Sequence, residues 1–180
     1  HSQSLEKIFF GIPGINILAI NPFIDVAQIY ENAIKSEEPS IIIENKLLYS
    51  EQNQILKNSN KIQHEEKYFP TSIIKNNEDQ ADLTIVSYGR MSKICYDISV
   101  RLNEDEGLNT ELIVPSLLSP LNTNHIKKSV EKSKFLVVVE EGYVKFGFGS
   151  EVVSSLQNDL RFKSLQVGLG DHIIYNSRVL

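Results

Sequence analysis

The chain has 180 residues, of which 41% are hydrophobic, and its 18 basic and 23 acidic side chains give a net charge of −5. This length can bury the core of one domain or of two small ones. The mild acidity and the lack of a basic segment argue against a nucleic-acid partner. Apolar runs such as residues 135–139 are far too short to span a bilayer, which argues against a membrane-spanning role. The chain opens on His1 without a methionine, so we expect a processed protein or a fragment.

Residues 1–45 predict the order helix, strand, helix, strand. Residues 17–20 are a short apolar run that indicates a strand. Apolar side chains then recur at helical spacing as far as Ile34, and Pro39 ends that helix because the residue before a proline avoids the helical region. Residues 40–44, Ser-Ile-Ile-Ile-Glu, hold a continuous apolar run, which is typical of a strand covered on both faces.

Residues 46–80 predict a linker that crosses a surface. They carry five acidic and five basic side chains and few apolar ones. The apolar pairs Ile55-Leu56, Tyr68-Phe69 and Ile73-Ile74 are expected to pin this linker to the rest of the protein.

A second α/β series occupies residues 81–180. Its strands are expected at residues 83–86, 112–114, 135–139 and 165–167, with helical spacing of apolar side chains between them. Gly107 is a candidate C-terminal cap of the first helix, and Asn122 is a candidate N-terminal cap of the second. Alternating strands and helices require a mostly parallel sheet with right-handed crossovers. The sequence therefore predicts an α/β fold with a doubly wound sheet.

Ligands of open parallel sheets lie beyond the carboxyl ends of the strands. That rule selects four candidate segments, at residues 87–90, 116–120, 140–149 and 168–172. The most suggestive pair is Glu140-Glu141, two carboxylates directly after the most apolar strand. They are either functional carboxylates or solvated turn residues, one of which caps a neighbouring helix. The second interpretation is the simpler one.

Gly147-Phe148-Gly149 precedes a helix, which is a context that favours binding of a phosphate group. However, position 152 is Val rather than a third glycine, and no acidic residue ends a following strand at the expected distance. These departures argue against dinucleotide binding. The sequence also lacks the Gly-Lys-Ser/Thr triple of nucleotide-hydrolase loops.

The remaining candidates have ordinary structural explanations. His64 and His125 are most simply surface residues, and His172 has either a structural role or a place in a site. Arg90 could meet an anionic ligand or pair with a surface carboxylate. Cys95 lies on the apolar face of its helix and is interpreted as a core residue rather than a nucleophile. As the single cysteine, it cannot form an internal disulfide.

Several ordered motifs resemble the beta subunits of thiamine-diphosphate-dependent 2-oxo acid dehydrogenases, the decarboxylase components of the pyruvate, branched-chain and acetoin complexes. The matching segments of the second series resemble the transketolase-type C-terminal domain of that family. The motifs are His1-Ser2-Gln3-Ser4-Leu5-Glu6, Ile12-Pro13-Gly14, Glu44-Asn45-Lys46-Leu47-Leu48-Tyr49, and residues 84–91, 118–121, 136–141 and 147–151.

The resemblance implies that residues 1–45 are the tail of a thiamine-pyrimidine-binding domain and that residues 81–180 are a transketolase C-terminal-like domain. It implies that His1 is an active-site histidine that handles a proton or orients the lipoyl group, which suits a side chain with a pKa near neutrality. It also implies a potassium site formed by backbone carbonyls at a helix end, at Ala33, Ser36 and Glu38. A plain helix terminus is the alternative there.

In the intact enzyme, the resemblance implies thiamine diphosphate and magnesium as cofactors. The implied partners are an alpha subunit, a second beta subunit and a lipoyl acyltransferase core, and the implied location is the bacterial cytoplasm or the mitochondrial matrix. The reaction would be oxidative decarboxylation of pyruvate or a branched-chain 2-oxo acid, with acyl transfer to lipoamide.

The departures from the family pattern favour a chain that is inactive alone and serves assembly. The family's cofactor-activating glutamate and its stacking aromatic residue precede the matched region. Ser116 and Asn122 replace an arginine and an aspartate, residues 173–176 replace a proline-rich stretch, and the chain stops at Leu180, short of the family's last helix. The alternatives are a non-catalytic interaction module or a fragment of another transketolase-family enzyme.

Overall fold

The computed structural model describes residues 4–50, 61–76 and 80–170, which form two β-sheets with helices packed on them. The strands are β1 (Asn16–Ala19), β2 (Ser40–Ile43), β3 (Lys61–Glu65), β4 (Thr71–Lys75), β5 (Leu83–Ser87), β6 (Thr110–Pro115), β7 (Leu117–Ser119), β8 (Phe135–Tyr143) and β9 (Lys163–Leu169). The helices are α1 (Val26–Lys35), α2 (Met91–Glu106), α3 (Asn124–Ser133) and α4 (Phe148–Gln157), with short 3-10 helices at Glu6–Phe9 and Lys46–Ser50. Within these residues, no helix combines the length and apolarity that crossing a bilayer requires.

The smaller sheet has the order β2-β1-β7. β1 is parallel to β2 and antiparallel to β7, and all four of its residues are buried. The expected order helix, strand, helix, strand is confirmed, with the first helix a single 3-10 turn. The expectation that residues 40–44 are covered on both faces is wrong, because β2 lies at the sheet edge and is half-buried.

The larger sheet has the order β3-β4-β6-β5-β8-β9. Its strands β6, β5, β8 and β9 run parallel, whereas β3 and β4 add to it in antiparallel pairing. The surface linker expected for residues 46–80 is therefore wrong over residues 61–75. β3 has little apolar patterning because it is an edge strand, held by backbone pairing with β4 rather than by burial of its side chains.

Helices cover the larger sheet on both faces, as the doubly wound prediction requires. α2 packs Cys95, Tyr96 and Val100 against one face. α3 and α4 pack apolar side chains such as Val130 and Leu156 against the other face. Cys95 is a buried core residue, as expected, and burial raises the pKa of its thiol to about 11. This pKa keeps the thiol protonated and unreactive near neutral pH.

The observed caps of α2 and α3 lie at, or within one residue of, the positions predicted from the sequence. Gly107 ends α2 in the left-handed conformation, with φ of 68°, and its N–H donates to the carbonyls of Asn103 and Leu102. The predicted Asn122 cap lies one position early, because Thr123 occupies the capping position of α3. Asn122 still accepts a hydrogen bond from the Asn124 amide at 3.0 Å.

Gly107→Ala is expected to destabilise the protein by about 1 kcal/mol, because a Cβ atom disfavours the left-handed backbone. An added Cβ meets nothing within 4 Å, so the cost is one of backbone conformation alone. Urea denaturation measures the change. The control is Gly142→Ala, where φ is not positive and the nearest atom to an added Cβ is 3.7 Å away, so a change within about 0.5 kcal/mol is expected. Equal costs at the two positions would contradict this explanation.

Candidate functional site

A cleft of about 690 Å³ lies where the smaller sheet meets the carboxyl edge of the larger one. Three of the four segments selected from the sequence contribute to its wall. They supply Tyr88, Gly89 and Arg90 after β5, Glu141 near the end of β8, and Leu169 at the end of β9. The opposite wall includes Ala19 and Ile43 of the smaller sheet and residues 44–46, which follow β2.

The fourth segment, residues 116–120, does not line this cleft. It contains β7, which pairs with β1, and Ser119 and Pro120 border a separate depression with residues 11–15. His172, and with it the end of the segment 168–172, lies outside the described residues.

A buried carboxylate lies beside the cleft. Glu6 is only 4% exposed, and the Ser4 hydroxyl, which donates to it, lies 2.8 and 2.6 Å from its two oxygens. The Tyr88 hydroxyl also donates to Glu6 Oε1. Burial, with the nearby Glu6 charge, raises the pKa of Tyr88 far above its ordinary value, so its hydroxyl stays a donor. We call this set of contacts the Glu6–Tyr88 clamp.

Glu140 is a second buried carboxylate, also 4% exposed. Its two oxygens accept hydrogen bonds from the backbone N–H groups of Phe148 and Gly149, each at 3.0 Å. These groups are at the N-terminus of α4, a context that favours binding of a phosphate group. Burial raises the pKa of Glu140, and the two N–H groups oppose that rise. The N-terminus of α4 is therefore closed by the protein's own carboxylate.

The glycines around α4 make room for this carboxylate. A Cβ atom at Gly147 would lie 2.3 Å from Glu140 Oε2, and one at Gly149 would lie 3.0 Å from Glu140 Oε1. The glycine pair thus serves an internal cap rather than a nucleotide, in agreement with the argument against dinucleotide binding.

The adjacent carboxylates Glu140 and Glu141 have different environments. The capping interpretation is confirmed for Glu140, but Glu140 is buried rather than solvated. Glu141 is exposed and accepts a hydrogen bond from the Asn45 amide at 2.9 Å, which joins the two sides of the cleft. Glu6 is near enough to Glu140 for its charge to raise the Glu140 pKa, whereas Lys7 lowers it.

Two tyrosine hydroxyls bind a carboxylate of the cleft wall, and a lysine connects the first 3-10 helix to the larger sheet. Glu44 accepts hydrogen bonds from the hydroxyls of Tyr30 and Tyr49, which lower the pKa of its carboxyl. The same contact raises the pKa of Tyr30 to about 12. Lys7 Nζ donates to the Lys145 carbonyl at 3.2 Å, so the 3-10 helix Glu6–Phe9 is tied to the loop after β8.

The other predicted site residues are placed as follows. His1 lies outside the described residues. Ala33, Ser36 and Glu38 border one depression at the C-terminal end of α1. There the Ser36 N–H donates to the Ala33 carbonyl at 3.3 Å and the Glu38 N–H donates to Ser36 Oγ at 3.2 Å. In the described parts of the chain, no group of three or more His, Cys, Asp or Glu side chains could hold a metal ion. A carbonyl site at α1 stays a prediction.

The two described histidines lie away from the cleft. His64 is exposed on β3, with its Nδ1 atom 3.2 Å from the Ser72 hydroxyl. His125 is half-buried on α3, and its Nε2 atom is 3.9 Å from Glu65. Neither contributes to the cleft wall.

The clamp is the part of the site that sequence reasoning missed. Glu6 and Tyr88 are 82 positions apart, and neither residue type stands out where it occurs. The position of Tyr88 in the sequence could have indicated it. Tyr88 directly follows a buried strand, and it belongs to one of the segments expected near a ligand because they lie at the carboxyl ends of strands.

A doubly wound α/β domain whose strand ends border a cleft has the architecture in which open parallel sheets bind ligands. Residues 74–177 match the model of one such family, described as the transketolase C-terminal domain. The match covers more than half of the chain, and the chain belongs to this family.

Two curated relatives confirm the resemblance to 2-oxo acid dehydrogenase beta subunits. The chain is 30% identical over 159 residues to the pyruvate dehydrogenase E1 component subunit beta of Gracilaria tenuistipitata var. liui, covering 88% of this chain and 47% of that protein. It is also 30% identical over 159 residues to the mitochondrial 2-oxoisovalerate dehydrogenase subunit beta of Chaetomium thermophilum, covering 88% and 33%. The chain thus spans about half the length of the relatives, or less.

A solved structure of a split-gene transketolase, in an inactive beta4 tetramer, shares the fold. The TM-score is 0.65 at 19% sequence identity, over 92% of this chain and 51% of the other. This likeness supports the arrangement of both sheets, since it extends beyond the segment matched by the family model.

Glu140→Gln is expected to destabilise the protein by about 1–3 kcal/mol, because an amide offers one acceptor oxygen to two buried N–H donors. The cost should depend on pH. Since the Glu140 pKa is raised in the folded state, this group favours folding most at low pH and less as pH rises. The stability difference between wild type and variant should therefore shrink as the pH rises above the ordinary carboxyl pKa of about 4.3.

Urea denaturation at several pH values measures this difference. Glu141→Gln is the matched control, because its side chain is exposed and an amide oxygen can still accept from Asn45. A control that loses as much stability as Glu140→Gln would contradict the capping role.

Proposed function

We propose that this chain is part of the beta subunit of the decarboxylase component of a 2-oxo acid dehydrogenase complex. That component oxidatively decarboxylates pyruvate or a branched-chain 2-oxo acid and transfers the acyl group to lipoamide. The observation that carries the proposal is the extent of the similarity, which covers 88% of this chain in a pyruvate dehydrogenase beta subunit. An 88% share of the chain takes in most of both sheets.

We assign residues 1–45 to the tail of a thiamine-pyrimidine-binding domain and residues 81–180 to the transketolase C-terminal-like domain. His1 is then an active-site histidine that handles a proton or orients the lipoyl group. The intact protein would act in the mitochondrial matrix or in the bacterial cytoplasm. The mitochondrial relative supports the first of these locations.

The surface of α1 supports a role in subunit assembly. Val26, Tyr30 and Ile34 are all exposed, with Ile34 82% exposed. Their spacing of four residues places them on one face of α1. An exposed apolar stripe on a helix is typical of a surface that another chain covers. The partners in this proposal are an alpha subunit, a second beta subunit and the lipoyl acyltransferase core.

The described residues do not fit thiamine diphosphate. The N–H groups of α4, which would suit a diphosphate, already bind Glu140. The cleft wall carries three carboxylates, Glu6, Glu44 and Glu141, against two basic side chains, Lys46 and Arg90, so it holds no surplus of positive charge for a diphosphate. We therefore assign the binding of thiamine diphosphate and magnesium to other parts of the intact enzyme. This chain alone is expected to lack decarboxylase activity.

The positions at which this chain differs from the family pattern favour a second candidate function, that of a non-catalytic interaction module. Ser116 is fully buried and donates to the Pro70 carbonyl at 2.7 Å. Asn122 donates to Glu66 at 2.8 Å. Both side chains thus bind residues that precede β4, and neither side chain borders the cleft. A protein that had kept the fold and lost the chemistry would show such replacements.

The decisive assay uses the full-length gene product co-expressed with its alpha subunit. With thiamine diphosphate and magnesium present, the assembly is expected to decarboxylate at least one 2-oxo acid from a panel of pyruvate and branched-chain substrates. Residues 1–180 alone are expected to show no turnover, and the full-length His1→Ala variant should lose acyl transfer to a lipoyl domain. An inactive wild-type assembly would favour the interaction module.

Potassium is expected to stabilise the protein through the predicted carbonyl site at Ala33, Ser36 and Glu38. A ligand that binds only the folded state raises the thermal midpoint. The midpoint in potassium chloride should exceed that in sodium chloride at equal ionic strength. Ser36→Ala should weaken the difference, because it removes the acceptor that holds the Glu38 N–H. Equal midpoints in the two salts would contradict the site.

A further inference from the structure

We infer that the contact between the first 3-10 helix, Glu6–Phe9, and the carboxyl edge of the larger sheet is a pH-dependent latch. The latch is tightest when the buried carboxylates of Glu6 and Glu140 hold a proton between them, and it loosens as the pH rises and that proton is lost. This inference goes beyond the proposed function, because it concerns two segments of the same chain and does not require the chain to be catalytic.

Two carboxylates from distant parts of the chain lie close together at this contact. Glu6 and Glu140 are each only 4% exposed. Glu6 Oε1 lies 3.7 Å, and Glu140 Oε2 lies 3.9 Å, from the position that a Cβ atom on Gly142 would occupy. Like charges in a site closed to water repel each other more strongly than like charges at the surface. The contact therefore costs electrostatic energy whenever both groups are ionised.

The hydrogen bonds of this pair come from neutral donors. Glu6 accepts from two hydroxyl groups, and Glu140 accepts from two backbone amides of α4. Lys7 is the nearby cation, but its Nζ atom donates to the Lys145 carbonyl at 3.2 Å and lies 4.9 Å from the centre of the Tyr143 ring. The repulsion between the two carboxylates is therefore only partly compensated.

The surroundings of the pair contain other ionisable groups. α4 presents backbone amides to Glu140, and β9 presents Gly168, at which an added Cβ atom would lie 3.1 Å from Glu140 Cγ. Lysine and tyrosine side chains titrate near pH 10, so carboxylates are the groups that change charge between acidic and neutral pH. The ionisable groups are Lys7 of the first 3-10 helix, Tyr88 after β5, Glu141 and Tyr143 of β8, Lys145 after β8, and Glu44, Lys46 and Arg90 of the cleft wall.

The latch favours the protonated form of Glu140. Burial raises the pKa of Glu140, and the Glu6 charge raises it further, against the opposing effects of the two amides and Lys7. Detachment of the first 3-10 helix takes the Glu6 charge away, so the detached state binds the proton less firmly. Attachment is therefore favoured most below the ordinary carboxyl pKa of about 4.3, and this contribution is lost as the pH rises through the raised value.

Hydrogen–deuterium exchange on the full-length gene product measures how often the latch opens. The Ile8 amide donates to the Leu5 carbonyl at 3.0 Å, and the Phe10 amide donates to the Lys7 carbonyl at 3.3 Å. Rates are corrected for the intrinsic dependence of exchange on pH. Protection of these two amides is then expected to fall about tenfold from acidic to neutral pH, the order expected for one pair of like charges in a partly buried site.

Glu6→Gln removes one of the two charges and keeps an acceptor oxygen for the Tyr88 hydroxyl. It should raise protection at neutral pH and reduce the fall to about threefold or less, since the repulsion is gone. Glu141→Gln is the matched control, because it removes the exposed carboxylate next to Glu140. This control should retain the tenfold fall. Thermal denaturation shows that each variant is folded.

Lys7→Gln provides a second test with the opposite sign. It removes the positive charge that opposes protonation of Glu140, so the midpoint of the fall should move to higher pH. Loss of the bond to the Lys145 carbonyl lowers protection at every pH and does not move the midpoint. Because the carboxylates interact, this midpoint belongs to the pair rather than to one group.

Three results would overturn the inference. The first is protection of the Ile8 and Phe10 amides that does not depend on pH. The second is a fall of equal size in Glu6→Gln and in the wild type, because the Glu6 charge would then have no part in the latch. The third is a midpoint that Lys7→Gln leaves in place or moves to lower pH.

Discussion

The hydrogen bonds from the Phe148 and Gly149 amides to the buried Glu140 carboxylate determine much of what surrounds them. They satisfy the N-terminus of α4, which carries the Phe148 ring into the core between the sheet and the first 3-10 helix. Tyr88 packs on that ring, and Glu6 binds the Tyr88 hydroxyl. One carboxylate therefore orders a helix end, a core aromatic and the contact between the beginning of the chain and its C-terminal domain.

This arrangement also explains the character of the cleft. The strand ends of a doubly wound sheet are the usual place for a ligand, and the helix N-terminus there is the usual anion site. In this protein the N-terminus of α4 binds the Glu140 carboxylate, and carboxylates outnumber basic side chains in the cleft wall by three to two. The domain keeps the geometry of a binding fold, while the contacts at this edge join segments of its own chain.

Much of the fold could be predicted from the sequence because its main elements are strongly patterned. The apolar run at residues 135–139 and the glycine at position 107 have few structural alternatives, and both were placed correctly. β3 could not be found in this way, because an edge strand is selected by pairing with its neighbour rather than by its own apolar pattern. The clamp was missed for a related reason: it joins residues 82 positions apart, and a single sequence does not record which distant side chains meet.

The fit between Glu140 and its glycines limits how this loop can change during evolution. Loss of the carboxylate first leaves two amides unpaired, whereas an alanine at Gly147 first collides with Glu140 Oε2. Each change is costly by itself, and losing the carboxylate does not make room for the alanine, because the Tyr143 carbonyl oxygen would still lie 2.6 Å from an added Cβ at Gly147. Mutational drift should therefore accumulate at other strand ends, such as the one that carries Ser116, before it reaches this loop. The glycine–carboxylate set should outlast catalytic residues in lineages that have abandoned the reaction.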